Sequence, residues 1–496
     1  MPQPTKDTYR SLFRGFRLFG GVQVFNALVA VVRGKFVAMI LGAAGMGINA
    51  LYNSASLTLQ RIASLGLNLA IVKEISAADE ADCQQREAGV LTDSAVAHSL
   101  AAINRLLLAT ALGGLIICVL AAPLLSKLTF GNSLSAGGFR LLGVALFFMV
   151  SSAGKLAILQ GLQQTKLIAR ASVVGGLTGL FIGVPLYWFL GTSGIVPAIC
   201  IFWLMVWGAY TMLLRKCSRH IAPTSFSWRI HSPIVSRLLG LGIVLVTADL
   251  LQTLVSYVVN LYVRYHGSVD LVGFYQGANA LTMQFSSLVF AAMLMDYLPR
   301  LARLINDNLK MTRLVNRQIE LAAVIIGPAA CLLILFAPLI IDLLLTAEFQ
   351  VAIPLIRWLA IGTMFRALAW PIGAISLGKN NKWVYFLQVG VAENLMALIL
   401  SCLLFNRYGL TGLGISYALD NAICLIAYVI LNRCLYGYRL SARALGKMLP
   451  TAIATGGCFL ASFICSGTTA IVVMAVITVG IIMWSILHLR SLLRTS

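Results

Sequence analysis

Long apolar blocks alternate with short polar segments along the whole chain. Each block holds about 20 residues, the length that an α-helix needs to cross about 30 Å of hydrocarbon. We therefore predict membrane-spanning helices, and not the buried helices of a soluble core. About fourteen spans are predicted, at residues 19–42, 46–72, 104–126, 138–160, 171–190, 194–214, 237–263, 272–298, 319–342, 355–377, 384–405, 411–432, 447–465 and 469–488.

The composition agrees with this pattern. Of the 496 residues, 59% are hydrophobic and 11% are charged, whereas soluble domains carry about 25% charged residues. The formal net charge of +21 could suggest nucleic-acid binding. However, the cytoplasmic loops of membrane proteins collect Lys and Arg, which gives the same excess. Because no basic soluble domain is predicted, we expect no nucleic-acid partner.

The distribution of positive charge predicts the orientation. With the N-terminus inside, 27 of the 37 Lys and Arg residues lie in predicted inner segments and five lie in outer loops. This bias places both termini in the cytoplasm. None of the ten cysteines falls in a predicted outer loop, so we expect no disulfides. The five histidines are too scattered for a metal site, and no cofactor is expected.

Weak internal repetition predicts two lobes. Gly47 precedes Asn53 by six residues at the start of the second span, and Gly273 precedes Asn279 in the same way at the start of the eighth. Two further pairs of short motifs recur in the same order. Since each lobe has an even number of spans, the lobes have the same orientation, a parallel repeat. The predicted domains are a six-helix lobe at 1–218, a cytoplasmic linker at 219–236, a six-helix lobe at 237–440, and an additional helix pair with a tail at 441–496.

Polar residues segregate to one face of the first two spans. On a helical wheel the polar residues of the second span fall within one broad arc, and those of the first span form a narrower stripe. A helix surrounded by lipid would not segregate in this way. The candidate substrate-binding residues on these spans are Asn26, Arg33, Lys35, Asn53, Gln60 and Arg61.

Similar polar stripes occur on the seventh and eighth spans. Asp249 and Asn260 lie on the seventh, and Gln276 and Asn279 lie on the eighth. The simplest geometry is a central hydrated cleft between the lobes, lined by these four helices. Asn260, Gln276 and Asn279 are further candidates for substrate binding. Asp249, alone near the middle of its span, is either an ion-coupling site or a residue hydrogen-bonded to a neighbour.

The intramembrane cations carry the functional argument. Each Arg or Lys at the bilayer centre raises the free energy of membrane insertion by about 2.5–3.5 kcal/mol. If Arg33, Lys35 and Arg61 all faced lipid, the total would be roughly 8–10 kcal/mol. The first two spans contain no acidic residue that could pair with Arg33 or Arg61. An unpaired cationic cleft favours an anionic substrate, although a structural role such as capping carbonyl groups stays open. The sequence also leaves open whether Arg366, Glu393 and Asp420 pair within the second lobe.

Several motifs resemble a known family. The run GKFVAMILGAAGMG from Gly34 to Gly47 resembles the opening of Wzx-type O-antigen and lipid III flippases, with Ala43 in place of the usual Pro. Residues 273–276, 297–301 and 343–349 resemble later blocks of that family. The resemblance extends to about residue 435, and Lys35 matches the Lys of the family's opening motif.

This resemblance implies an all-α polytopic fold of the multidrug/oligosaccharidyl-lipid/polysaccharide superfamily. Two parallel six-helix lobes would surround a central cleft and work by alternating access. The two extra C-terminal helices depart from the twelve-span members and resemble the arrangement in fourteen-span relatives. The implied substrate is an undecaprenyl-diphosphate-linked oligosaccharide, flipped from the inner to the outer leaflet of the bacterial inner membrane. The implied partners are a proton or sodium ion, membrane lipids and glycan polymerase machinery.

Alternative functions remain at this point. No G-x-x-x-x-G-K-[ST] motif for ATP binding is present, so transport would be passive or ion-coupled and we expect no enzyme. A drug or metabolite antiporter of the same superfamily would need acidic residues in the first lobe for organic cations. A non-transporting scaffold for glycan assembly would not need the predicted hydrated cleft. The sequence does not name the sugar, the coupling ion or the oligomeric state.

Overall fold

The fold consists of helices throughout the described part of the chain. A computed structural model describes residues 6–87, 95–218, 232–379, 381–465 and 467–494. Those residues form α-helices and short 3-10 or π-helical turns, with no strand among them. The α-helices are α1 (Lys6–Ser64), α2 (Leu67–Glu87), α3 (Ala95–Phe130), α4 (Ala136–Gly161), α5 (Thr165–Phe181), α6 (Gly183–Leu190), α7 (Ile195–Ser218), α8 (Ser232–His266), α9 (Val269–Leu304), α10 (Asn308–Leu344), α11 (Ile353–Gly378), α12 (Lys382–Tyr385), α13 (Glu393–Tyr436), α14 (Ala442–Ile464) and α15 (Gly467–Arg494).

The helices have the length and composition of membrane spans. Nine helical segments of the described residues are long and apolar enough to cross a bilayer. Three of them, Phe25–Ser64, Thr165–Arg215 and Trp383–Tyr436, contain 40, 51 and 54 residues, enough for two crossings each. Each bends at a glycine with positive φ, at Gly42, Gly191 and Gly409 respectively. The predicted all-α polytopic membrane fold is confirmed, and the count of fourteen spans stays a prediction.

The second predicted span is not one continuous helix. Residues 46–72 were expected to form a single span, but α1 ends at Ser64 and α2 begins at Leu67. Leu65 and Gly66 both have positive φ, 47° and 70°, which α-helical backbone does not allow. The polar arc that the helical wheel places on one helix therefore belongs to two. Asn68 lies on the second of them.

The chain folds into two compact units. The N-terminal unit comprises the described residues of Met1–Leu41 and Ile48–Tyr257, and the C-terminal unit comprises those of Gly42–Gly47 and Val258–Ser496. In the N-terminal unit, the ring of Tyr52 packs against those of Phe130 and Phe139 at centroid distances of 5.0 and 5.2 Å. This aromatic contact joins the second half of α1 to α3 and α4. The predicted domain boundaries stay predictions.

In the C-terminal unit the short bend in α1 packs against the start of α9. A Cβ atom on Gly47 would lie 2.0 Å from the carbonyl oxygen of Val269, and one on Gly273 would lie 2.0 Å from that of Ala43. Only glycine permits backbones to approach this closely. The two glycines that define the sequence repeat thus lie at one contact.

The last two helices pack on α10. Thr451 of α14 donates a hydrogen bond to the carbonyl oxygen of Ala323 at 2.9 Å. Ser485 of α15 donates to that of Val324 at 2.6 Å. Nearby, the buried Tyr297 of α9 donates to the carbonyl oxygen of Pro371 at 2.6 Å. Hydroxyl groups in these spans therefore bond to backbone oxygens, as expected where water is absent.

Candidate binding cavity

A polar cavity lies inside the N-terminal unit. Its volume is about 550 Å³, within the range of small-molecule pockets. Five helices line it, namely both halves of α1 together with α2, α4, α5 and α7. Its polar and aromatic lining residues are Asn26, Arg33, Gln60, Arg61, Asn68, Ser152, Gln160, Ser172, Phe202, Trp203 and Tyr210. Four of the predicted site residues, Asn26, Arg33, Gln60 and Arg61, are brought together here.

Small residues on α5 make room for these polar side chains. A Cβ atom on Gly176 would lie 3.3 Å from Oδ1 of Asn26. One on Gly179 would lie 3.0 Å from Nη1 of Arg33 and 3.1 Å from Cδ2 of Phe202. Membrane helices use such small residues where partners must come close. The two glycines therefore set how deeply Asn26 and Arg33 sit.

Arg33 packs against an aromatic ring of the cavity. Its guanidinium carbon lies 5.7 Å from the centre of the Phe202 ring, which is within the range of a cation–π interaction. Among the residues that the structure describes, no carboxylate lies within ion-pair distance of Arg33. The proposed role of Arg33 in binding an anion stays a prediction.

Arg61, in contrast, has an acidic partner. Its Nη1 atom lies 3.4 Å from Oδ2 of Asp249 on α8, and their side chains are 35% and 60% exposed. The expectation that Arg61 is unpaired and that Asp249 is alone was therefore wrong. The first two spans do lack an acidic residue, but the seventh span supplies one. Both groups stay accessible, so an anion could compete with Asp249 for Arg61.

Three polar atoms around the cavity have no hydrogen-bond partner among the described residues. They are Oδ1 of Asn26, Oδ1 of Asn68 and Nε of Arg61, and each atom is buried. A buried unpaired polar atom costs about 1–3 kcal/mol. Such atoms make the cavity a site that gains free energy from a polar ligand. Gln60 is partly satisfied, because its Nε2 donates to the carbonyl oxygen of Met149 at 3.4 Å.

Two other predicted residues of the first two spans lie outside the cavity lining. Asn53 donates from Nδ2 to both the backbone oxygen and Oδ1 of Asn49, each at 2.8 Å. This bond ties Asn53 to its own helix. Lys35 is half-buried in the first half of α1 and is not among the lining residues.

The remaining three candidates belong to the C-terminal unit. Gln276 donates from Nε2 to Oδ1 of Asn260 at 2.8 Å. Asn260 is 1% exposed, so this bond fixes two helices, α8 and α9, to each other. Asn279 is half-buried on α9. The roles of these residues in substrate binding stay predictions.

Helical-wheel analysis missed the cavity walls on α4, α5 and α7. Phe202, Trp203 and Tyr210 lie in an almost wholly apolar span, so no polar stripe marks them. Ring contacts order this wall, since Phe202 and Trp203 meet edge to face with centroids 5.2 Å apart. The cluster of glycines at 175–179 was the available signal, because small residues mark close helix packing.

Comparison with known proteins gives a family and relatives. The model of a family described as polysaccharide biosynthesis protein matches residues 87–354, more than half of the chain. Lipid III flippase of Escherichia coli (strain K12) is 24% identical over 390 residues, which cover 77% of this chain and 89% of that protein. Lipid III flippase of Shigella flexneri matches with the same identity and coverage.

Solved structures share the fold. The lipid II flippase MurJ, in an inward closed conformation, superposes with a TM-score of 0.70 at 14% identity, covering 96% of this chain and 99% of that one. An inward-facing multidrug resistance transporter of the MATE family superposes with a TM-score of 0.66 at 15% identity, covering 84% and 97%. At such identities the likeness shows the fold alone, which is that of multi-pass membrane proteins.

Proposed function

Because the chain belongs to the polysaccharide biosynthesis protein family, we propose that it flips an undecaprenyl-diphosphate-linked oligosaccharide across a bacterial inner membrane. The cargo would be an O-antigen or related surface glycan unit, moved from the inner to the outer leaflet. Both termini would lie in the cytoplasm, as the bias of 27 of 37 Lys and Arg residues towards inner segments indicates. The lipid III flippase relatives support this class of substrate.

One observation carries the proposal: two arginines and several amides line a single cavity inside a membrane-embedded unit. Burying cations within a bilayer is expensive, so such residues mark functional sites. Arg33 and Arg61 would bind the diphosphate or an acidic sugar. Asn26 and Gln60 would bond to sugar hydroxyls, while the polyprenyl tail stays in lipid. Lys35, Asn53, Asn260, Gln276 and Asn279 are proposed as further contacts during the transport cycle.

Asp249 is the proposed ion-coupling residue. Its carboxylate is 60% exposed and contacts Arg61 at 3.4 Å, so protonation or sodium binding at Asp249 would weaken the ion pair. Arg61 would then be free for an anionic substrate. Transport by alternating access would couple the two events. Glycan polymerase machinery is a proposed partner, because the flipped unit must be consumed at the outer leaflet.

Drug antiporters have the same fold, so the charge of the residues that line the cavity has to decide between the two functions. Export of organic cations needs an anionic site. The charged lining residues of the described cavity are Arg33 and Arg61, which repel such cations. This observation favours an anionic cargo over the drugs that MATE-family transporters carry.

Substitution of Arg61 tests the proposal in a strain that depends on this protein for its surface glycan. We expect Arg61→Ala to reduce surface glycan at least tenfold, since a hydrogen bond to a charged group contributes about 1.5–3 kcal/mol. Arg61→Lys should retain part of the activity. Arg407→Ala, which removes an exposed arginine outside the cavity, is the matched control. Normal glycan in the Arg61→Ala strain, with normal protein level, removes Arg61 from the mechanism.

Reconstitution separates transport from other roles. When the purified chain is reconstituted in liposomes, it should move fluorescently labelled lipid-linked oligosaccharide to the outer leaflet. An enzyme added outside can then modify the labelled lipid. A scaffold for glycan assembly would leave the inner-leaflet pool protected, and a drug antiporter would confer drug resistance without changing the glycan.

A further inference from the structure

We propose that the cavity of the N-terminal unit recognises an acidic sugar, a pyranose ring that carries one carboxylate, and not the diphosphate of the carrier lipid. This inference rests on the proposed function and assigns one part of the substrate to this cavity. Three independent features support it: the net charge, the hydrogen-bonding character of the unpaired atoms and the aromatic wall.

The net charge of the cavity matches a single carboxylate. Among its described lining residues, the charged groups are Arg33 and Arg61. Arg61 already contacts Asp249 at 3.4 Å, so that pair is close to neutral. Arg33 remains as one uncompensated positive charge. With Arg61 paired to Asp249, a carboxylate supplies the one negative charge that the cavity needs, whereas a diphosphate diester supplies two and is matched only if Asp249 releases Arg61.

The unpaired atoms require a ligand that donates hydrogen bonds. Oδ1 of Asn26 and Oδ1 of Asn68 are buried acceptors without a partner in the described residues. Ionised phosphates carry only acceptors and cannot satisfy them. Sugar hydroxyls donate and accept, so they can satisfy both amide oxygens and also the unpaired Nε of Arg61. An acidic sugar is the ligand class that meets all of these needs at once.

The aromatic wall on α7 suits a sugar ring. Phe202, Trp203 and Tyr210 line one side of the cavity. The C–H face of a pyranose packs on an aromatic ring, and its rim of hydroxyls can bond to the amides that line the same cavity. Arg33 lies 5.7 Å from the Phe202 ring, and Phe202 contacts Trp203. A ring stacked on Trp203 would lie in the same cavity as the Arg33 guanidinium, which could bind its carboxylate.

Intrinsic tryptophan fluorescence of the full chain, purified in detergent, tests this inference. The titrants are glucuronate, glucose and inorganic pyrophosphate. We expect a saturable change with glucuronate, with about tenfold weaker binding of glucose and no competition by pyrophosphate. The change should be lost in Trp203→Phe. Trp207→Phe is the matched control, because Trp207 lies on the same helix but outside the cavity lining, where it contacts Lys155.

A second variant removes one acceptor. Asn26→Leu should weaken glucuronate binding by about three- to tenfold without affecting the elution profile of the protein, since it deletes one neutral hydrogen bond. The inference is overturned if pyrophosphate binds in competition with glucuronate, if glucose binds as well as glucuronate, or if no titrant gives a saturable change. It is also overturned if the signal persists in Trp203→Phe.

Flipping in liposomes and glucuronate binding in detergent can fail independently of each other. Flipping of lipid-linked oligosaccharide without preference for glucuronate would refute the sugar assignment alone. Binding of glucuronate at Trp203 without any flipping would support the sugar site and refute the proposed transport function.

Discussion

The two units bury charge in opposite ways. In the N-terminal unit, Arg33, Arg61 and Asp249 give one excess positive charge beside an open cavity. In the C-terminal unit, Arg366 of α11 faces Glu393 and Asp420 of α13, and the charges of both carboxylates act on it. By formal count, that second group has two acidic side chains and one basic side chain.

The two groups also differ in accessibility, mainly through Asp420. Arg61 and Asp249 are 35% and 60% exposed, whereas Arg366 and Glu393 are half-buried and Asp420 is 5% exposed. We call the group of Arg366, Glu393 and Asp420 the closed group. Glu393 accepts a hydrogen bond from Tyr428 at 2.6 Å, and Arg366 contacts the hydroxyl of Tyr417 at 3.5 Å. No ion pair within 4 Å joins the three charges of this group in the described residues. The comparison teaches that a group open to a cavity can serve a ligand, while a closed group is held by the protein itself.

Removing Arg366 should have the largest effect on stability. Arg366→Met removes the hydrogen bond to Tyr417 and the cation on which both carboxylates act, and should destabilise the protein by about 1.5–3 kcal/mol. Unfolding of the purified chain in detergent measures this loss. Adding Asp420→Asn to the variant should restore part of the stability. Unchanged unfolding in Arg366→Met would show that the closed group does not depend on its arginine.

Arg33 should behave in the opposite way. If Arg33 binds the substrate as proposed, Arg33→Gln removes a charge-assisted hydrogen bond and is expected to lower flipping by about 10- to 100-fold. Its stability should change by less than about 1 kcal/mol, since no ion pair is broken. If Arg33→Gln strongly lowered stability while each folded molecule still flipped substrate normally, Arg33 would have a structural role. The difference between Arg33 and Arg366 would then disappear.

Gly179 offers a smaller perturbation of the same cation. In Gly179→Ala the new methyl group would lie 3.0 Å from Nη1 of Arg33, which forces the guanidinium to shift. We expect flipping to fall by about three- to tenfold, less than in Arg33→Gln. Gly113→Ala is the matched control, because a Cβ atom there meets nothing within 4 Å. Equal activity of the two variants would show that the position of Arg33 is not limiting.

A solvated charge should have the smallest effect and gives a baseline for both groups. Asp307 precedes α10 and accepts hydrogen bonds from the backbone N–H groups of Lys310 and Leu309, at 3.0 and 3.1 Å. The bond from Lys310 lowers the pKa of the Asp307 carboxyl. Its stabilising effect is therefore complete above the ordinary pKa of Asp and is lost as pH falls through the lower native pKa.

In Asp307→Ala the difference in unfolding from the parent chain should be greatest near neutral pH and should vanish in acid. Thermal unfolding of both proteins over a pH series measures it. A difference that grows as pH falls would contradict the sign of the shift.

The sequence predicted the helices and the cations but not all of their partners. Local periodicity was sufficient to place Asn26, Arg33, Gln60 and Arg61 on polar faces that meet. The ion pair of Arg61 with Asp249 joins residues 188 positions apart (|249 − 61|), and no local pattern reports such a contact. The break at Leu65 was missed for a different reason, since positive φ is rare for a leucine and depends on its surroundings.

The sequence also did not predict the aromatic wall. Trp203 lies among apolar residues on both sides, so hydropathy treats it as a lipid-facing or core residue. Only the packing of α7 against α4 and α5 places its ring in a cavity with polar groups. Tertiary contacts of this kind decide the specificity of a site, whereas periodicity decides only which face of a helix is available.

The missing side chain at Gly179 has a consequence for reading related sequences. A side chain at position 179 would make the guanidinium at position 33 move away by a few tenths of an ångström or more, so we expect the two positions to vary together. Chains with a bulkier residue at the second position should carry a shorter or uncharged one at the first. The residues at positions 33 and 179 would then distinguish, from sequence alone, transporters of charged glycans from transporters of neutral glycans.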